Sequence, residues 1–305
     1  MNKVPHLNKI SKDNNLNQNC IIINPIQVFE RKKNTKYNEE EISNLAQNIN
    51  LIVKYQKNII IRKITPALFF GKGQVQNFKI YLKEYSSNLL LINSQISPIQ
   101  QRNLELSLHC KVLDRTGLIL EIFGERAVTK HGKLQVDLAT LSYQKSRLVR
   151  SWTHLERQRG GYGFMGGPGE RQIESDKRQI NKRISKIKNE LKKIESNKLI
   201  QRRNRNKSLK PFISLVGYTN AGKSSIFNYL TKENVYAKNQ LFATLDTTMR
   251  KCSLSYKNHI ILSDTVGFIT NLPTELVVSF KTTLDEIHFS DYLLHVIDIS
   301  NPEWE

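Results

Sequence analysis

Apolar positions are spaced in two different ways along this chain. Between about residues 20 and 125, short apolar runs suited to buried strands alternate with segments of helical period. The runs lie at 20–24, 59–62, 89–93 and 111–113; the helical segments lie at 39–55, 73–85, 98–108 and 115–124, the last with Asp114 as its expected N-cap. Such alternation predicts βαβ units around a parallel sheet, because parallel neighbours need a crossover. From Leu134 the spacing changes. Leu134, Leu138, Leu141, Leu148, Trp152 and Leu155 follow a heptad stripe broken only by Lys145. Ile173, Ile180, Ile184, Ile187, Leu191 and Ile194 form a second stripe, broken by Lys177. Two stripes of this length predict two helices packed as an antiparallel hairpin.

Beyond the stripes the alternation resumes. Phe212, Ile213, Leu215 and Val216 read as a buried strand, and Ile226, Phe227, Tyr229 and Leu230 as a helix. Residues 259–263 read as a strand, and 273–289 as a helix with Leu276, Val277, Phe280, Leu284 and Ile287 on one face. Residues 292–299 read as another buried strand. A doubly wound sheet of this kind needs further strands and helices, so the chain is expected to be cut short at its C-terminal end.

Composition narrows the class. A length of 305 residues and 39% hydrophobic content suit a soluble protein of about two domains. No run of 18 or more apolar residues offers a membrane span. Residues 1–19 are polar, without a signal-peptide core, and are expected to be a disordered tail. Cys20, Cys110 and Cys252 are scattered, which argues for a reducing compartment and against a disulfide frame or zinc site.

Net charge is +20, and its distribution says more than its sum, because the chain leans on Lys, Asn and Ile throughout. Residues 145–210 hold 20 basic and 6 acidic side chains, a net of +14, which is the footprint of a polyanion partner, nucleic acid first. Between the stripes, residues 160–169 hold six of the chain's fourteen glycines together with Tyr162, Phe164 and Met165. A mobile loop with exposed aromatic rings at the tip of a basic rod suits stacking on unpaired bases. A second glycine pair, Gly71-Lys72-Gly73, reads as a plain turn more readily than as an anion site.

The chemistry is carried by one spacing. Gly217-Tyr218-Thr219-Asn220-Ala221-Gly222-Lys223-Ser224 fits G-x-x-x-x-G-K-[ST], lying between the strand and the helix that this pattern requires. Glycines let the loop turn its N–H groups inward around a polyphosphate, and the helix start adds free N–H groups and a positive dipole end. Lys223 is placed to reach the terminal phosphates and Ser224 to bind Mg²⁺. After the strand at 259–263 comes Asp264-Thr265-Val266-Gly267, where an Asp holds Mg²⁺ through water and the glycine N–H faces the γ-phosphate. The interval between them, Phe242-Ala243-Thr244-Leu245-Asp246-Thr247-Thr248, offers three threonines for the Mg²⁺ ligand of a switch loop, and spacing does not choose among them. Phe268 stands where a water-orienting glutamine would follow, and no Asn-Lys-x-Asp guanine-reading pattern occurs in these 305 residues.

These residues carry a family resemblance. From about residue 20 to its end the chain resembles the HflX GTPases, through Gln100-Gln101-Arg102-Asn103-Leu104, Asp114 to Leu120 as DRTGLIL, and Gly132-Lys133-Leu134-Gln135-Val136. Gly167-Pro168-Gly169-Glu170, GYTNAGKS, FATLD at 242–246 and DTVGFI at 264–269 continue it, with Arg171 and Thr247 departing from the usual Thr and Pro. The resemblance implies an α/β fold: an N-terminal α/β subdomain at 20–130, a basic helical hairpin at 131–208 and a partial P-loop GTPase domain at 209–305. It singles out Thr244, beside Ser224, as a Mg²⁺ ligand, with Lys223 as the catalytic group and GTP as substrate. It also implies a cytoplasmic monomer bound to the large ribosomal subunit and its ribosomal RNA, splitting or rescuing stalled ribosomes. The alternatives are a ribosome- or RNA-binding chain without GTP turnover and, because the guanine-reading motif is missing, an ATPase.

Overall fold

The computed structural model describes residues 18–28, 35–158, 168–206, 210–232, 241–242, 244–245, 247–253, 259–270, 272, 276–277 and 287–300. Residues 1–17, the glycine-rich stretch 160–167, Ala243, Asp246 and most of 273–289 lie outside them. Two compact units divide the chain: one runs to Ile119 and takes in Thr140–Ile184, the other comprises Leu120–Ala139 and Ser185–Glu305.

In the first unit, β1 (Gln18–Gln27), β2 (Leu51–Ile61), β3 (Leu89–Ile92) and β4 (Lys111–Asp114) form an all-parallel sheet in the order β2-β1-β3-β4. The crossovers are α1 (Thr35–Gln47), α2 (Lys72–Glu84) and α3 (Pro98–Leu108), so the expected βαβ alternation is present. One face buries Ile21, Ile23, Leu90, Ile92 and Val112 against Phe70, Phe78 and Leu104. Each such side chain stabilises the fold by roughly 1.5–3 kcal/mol relative to exposure. Helix α3 starts where its capping chemistry dictates: Ser97 Oγ accepts from Gln100 N at 3.3 Å, Gln100 Oε1 accepts from Ser97 N at 2.9 Å, and Pro98 opens the first turn. Gly71 precedes α2 with half of that arrangement: its N–H donates to Gln74 Oε1 at 3.0 Å, and it has no side chain to return the bond.

Two elements differ from expectation. The helix expected over 39–55 stops at Gln47, and the strand expected over 59–62 begins at Leu51. Asn50 at φ 58° turns the chain, and the β-branched run that follows pairs with β1 instead of continuing the helix.

Asp114 does cap α4 (Arg115–Arg126), accepting from Gly117 N at 2.8 Å, and its fully buried carboxylate also accepts from Tyr143 OH at 2.6 Å and Arg147 at 2.8 Å. The two stripes form α5 (Lys130–Gln158) and α6 (Pro168–Asn206). Lys198 Nζ lies 3.4 Å from His131 Nδ1, which sets the end of α6 beside the start of α5 as an antiparallel pair requires. Among the described residues no helix is long and apolar enough to cross a membrane.

The second unit carries a sheet in the order β6-β7-β5-β8, built from β5 (Phe212–Val216), β6 (Thr248–Ser253), β7 (His259–Asp264) and β8 (Tyr292–His295). β5 runs parallel to β7 and β8, while β6 is antiparallel to β7 with Thr248 opposite Asp264. Leu215, Phe227 and Leu262 are fully buried at its centre. The strand read as buried over 292–299 is shorter and exposed: β8 is outermost among the described strands of this sheet, and Tyr292 and Leu293 are 64% and 53% accessible. β6 was not expected, since Cys252 is the only one of its residues that is buried.

Candidate functional site

The sheet of the second unit brings three oxygen-bearing side chains to one point. Chain direction explains two of them: β5 ends at Val216 and turns through the glycine loop into α7 (Lys223–Thr231), while the parallel β7 ends alongside at Asp264. Ser224, in the first turn of α7, donates its hydroxyl to Asp264 Oδ2 at 2.6 Å. Thr244 donates to the same oxygen at 2.8 Å, and its Oγ1 lies 2.9 Å from Ser224 Oγ. Of the three threonines that spacing left open, Thr244 is the one in this cluster.

The loop is held in shape by backbone and by the absence of side chains. Gly217 has φ +148°, and a Cβ there would lie 2.3 Å from the carbonyl oxygen of Val296. Gly267 presses on the loop from the other side, where a Cβ would meet Thr219 Cα at 2.6 Å. Two hydrogen bonds stitch these segments: Thr219 N to Phe268 O at 2.8 Å and Phe268 N to Gly217 O at 3.1 Å. Asn220 and Gly222 also have positive φ, 64° and 92°, and Gly222 caps α7. Thr265 is buried and donates its hydroxyl to Leu215 O at 2.6 Å, anchoring the Asp264–Gly267 turn to β5. Val296, which no motif singles out, completes the loop wall and donates its N–H to Val216 O at 2.8 Å.

Electrostatically the site is poised for an anion and a cation together. Lys223 is buried, with Nζ donating to Gly217 O at 3.0 Å and to Tyr218 O. Burial pulls its pKa from 10.5 down to about 8, partly opposed by the charge of Asp264. Burial also raises the Asp264 carboxyl above its usual range, against the hydroxyls of Ser224 and Thr244 and the charge of Lys223. Its second oxygen, Oδ1, is buried with no partner among the described residues. Two hydroxyls and a carboxylate with an orphaned oxygen are a hard, all-oxygen donor set, which fits Mg²⁺. Among the described residues no group of three or more His, Cys, Asp or Glu forms a metal cage.

Not every residue singled out faces this point. Phe242 and Leu245 turn their side chains into the interior, 2% and 3% exposed, and Phe242 packs edge-on against Phe123. Val266 is half-buried, Tyr218 is exposed, and Ala243 and Asp246 lie outside the described residues.

Three family models match consecutive parts of the chain: "GTP-binding GTPase N-terminal" over residues 36–124, "GTP-binding GTPase Middle Region" over 126–205, and "50S ribosome-binding GTPase" over 212–305. The chain is 52% identical over 266 residues to GTPase HflX of Magnetococcus marinus, an alignment covering 87% of this chain and 62% of that protein. It is 48% identical over 236 residues to GTPase HflX of Escherichia coli, covering 77% of this chain and 55% of that one. The chain thus spans roughly three fifths of the length of these curated relatives. Among solved structures, a GTP-binding protein from Sulfolobus solfataricus in complex with GDP matches with a TM-score of 0.50 and 25% identity over 94% of this chain and 72% of that one. The SsGBP and GDP complex matches with a TM-score of 0.53 and 26% identity, over 94% and 73%. With three successive domain models aligned from residue 36 to 305 and about half of its positions identical to those of curated members, the chain belongs to the HflX family of GTPases.

Proposed function

We propose that this chain is a Mg²⁺-dependent protein that binds and hydrolyses GTP, associates with the large ribosomal subunit in the cytoplasm, and splits or rescues stalled ribosomes. One observation carries the nucleotide part: Ser224, Thr244 and Asp264 meet within hydrogen-bond distance beside Lys223 and a glycine turn. In this reading Ser224 and Thr244 would hold Mg²⁺ by their hydroxyls, with Asp264 beside them as the carboxylate of the site. Bound Mg²⁺ supplies charge neutralisation to the phosphate oxygens. The N–H groups of the Gly217–Ser224 turn orient the phosphates, and Lys223 exchanges its carbonyl partners for phosphate and stabilises charge that develops in transfer. Gly267 brings its backbone N–H to the γ-phosphate. Thr244 would add its hydroxyl to the ion only alongside that phosphate, so its loop reports which nucleotide is bound.

The ribosomal part rests on family membership and on the basic excess at 145–210. The hairpin meets ribosomal RNA as a polyanion, with the protein acting as a monomer.

Competition between GTP and ATP for the purified 305-residue chain, followed by sedimentation with large subunits in each nucleotide state, tests the proposal. GTP is expected to win, and its non-hydrolysable analogue is expected to promote co-sedimentation. Equal affinity for ATP would remove the guanine claim, and ribosome binding indifferent to nucleotide would leave a plain RNA binder.

A further inference from the structure

Phe242 combines two properties that rarely occur together. Its φ is 58°, a left-handed conformation that a bulky side chain avoids, and its ring is 2% exposed. Strain of this kind persists only where the surroundings over-determine it. Here the surroundings include Phe123, on the last turns of α4: the ring centroids are 4.7 Å apart and the planes stand at 89°. That is the edge-to-face arrangement that aromatic pairs prefer. Phe123 is itself 2% exposed, and its carbonyl accepts from Ala127 N at 3.0 Å, in the turn that leads on to α5. Thr244, two positions beyond Phe242, makes the hydrogen bonds to Asp264 and Ser224.

We propose that Phe123 is a positioning residue for the switch loop: its ring clamps Phe242 in a strained backbone and so holds Thr244 on Asp264 and Ser224. The proposal rests on the nucleotide reading above and extends it to a residue outside the phosphate-binding motifs. It gives the loop a mechanical connection to the start of the basic hairpin. α4 passes through Ala127–Thr129 into α5, whose first turn is set by Gly132 N donating to Thr129 Oγ1 at 2.9 Å. A shift of this turn moves Phe123, and through Phe242 it changes how often Thr244 is in place. By reciprocity, a γ-phosphate that fixes Thr244 also fixes the base of the hairpin.

The test uses the full 305-residue chain with Phe123→Leu and Phe123→Ala. In the proposed function the Thr244 hydroxyl contributes to Mg²⁺ binding only alongside the γ-phosphate, so the clamp predicts a split between nucleotides. Affinity for a non-hydrolysable GTP analogue with Mg²⁺ falls about tenfold in Phe123→Ala and less in Phe123→Leu, while GDP affinity stays unchanged. Hydrogen exchange read by mass spectrometry on the nucleotide-free protein is the second measurement, with exchange across 241–245 expected to quicken by about tenfold in Phe123→Ala. Parallel losses for both nucleotides, or no loss for either, would overturn the clamp, as would unchanged exchange. If the unmutated chain bound neither nucleotide, the functional reading would fall, and the exchange experiment would still decide whether Phe123 holds the loop.

Discussion

Lys223 gives the sharpest quantitative test of the site. Its ammonium lies against two backbone carbonyls, and burial lowers its pKa from 10.5 to about 8. At roughly 1.4 kcal/mol per unit, the difference between 10.5 and about 8 amounts to about 3 kcal/mol between the two protonation states. The unfolded chain keeps this proton up to about 10.5, whereas the folded chain releases it near 8. In that window the unfolded state binds more protons, so stability contributed by this residue rises with pH and the full cost of the buried charge is felt below 8. Lys223→Met has no such titration. Urea unfolding followed by circular dichroism at pH 7, 8.5, 10 and 10.5 isolates the term, because other alkaline groups cancel between the two proteins. The wild-type-minus-variant stability is expected to climb by about 3 kcal/mol across the series. A flat difference, or one that moves toward the Met variant, would refute a buried, ligand-free lysine. Nucleotide binding should show the same proton. Phosphate favours the charged form, so binding above pH 8 takes up a proton and affinity falls by up to about tenfold per pH unit. Calorimetry in two buffers of different ionisation heat reads that uptake directly.

Three further outcomes follow from the same geometry. Asp264 is held above its ordinary pKa by burial, so its contribution to stability falls as pH rises through the carboxylate range; Asp264→Asn should raise the melting temperature of the nucleotide-free protein at pH 7 yet weaken Mg²⁺-dependent GTP binding by about 10–100-fold. A lower melting temperature with intact Mg²⁺ dependence would contradict both parts. Gly217→Ala places a methyl 2.3 Å from Val296 O at φ +148°, and thermal melts should show a loss of about 3 kcal/mol or more. Reversing the charges of Arg178, Lys182 and Lys186 should weaken ribosome co-sedimentation and flatten its salt dependence, and an unchanged salt slope would acquit that face of α6.

How much of this was legible in the sequence depends on whether local spacing or distant pairing fixed the outcome. The Gly217–Ser224 turn and the place of Asp264 beside it were legible because a strand, a glycine turn and a helix start must follow one another at set intervals, and the parallel partner strand must end at the same level. Residue types did the rest for α3, whose Ser97, Pro98 and Gln100 state its boundary outright. The end of α1 was misread because Leu51, Ile52 and Tyr55 suit either period, and only pairing with β1 favours the extended form. β6 escaped notice because an edge strand with one buried residue has no apolar run to show. The choice among Thr244, Thr247 and Thr248 needed family resemblance or coordinates, since hydroxyl geometry is set by the fold of the loop. Phe123 left no local trace at all: its role depends on a ring that arrives from a remote segment.

The antiparallel rung between Thr248 and Asp264 fixes a tether length. Thr244 stands four residues upstream of a point that the sheet holds beside the very carboxylate it bonds, so even a fully released loop cannot carry it farther than about 14 Å from that rung. Leaving the cluster is therefore a short excursion on a leash, and return is a unimolecular search at high effective concentration. If the loop reports the bound nucleotide as proposed, it can be reset by small changes in the occupancy of one hydroxyl, without unfolding the strand that carries it.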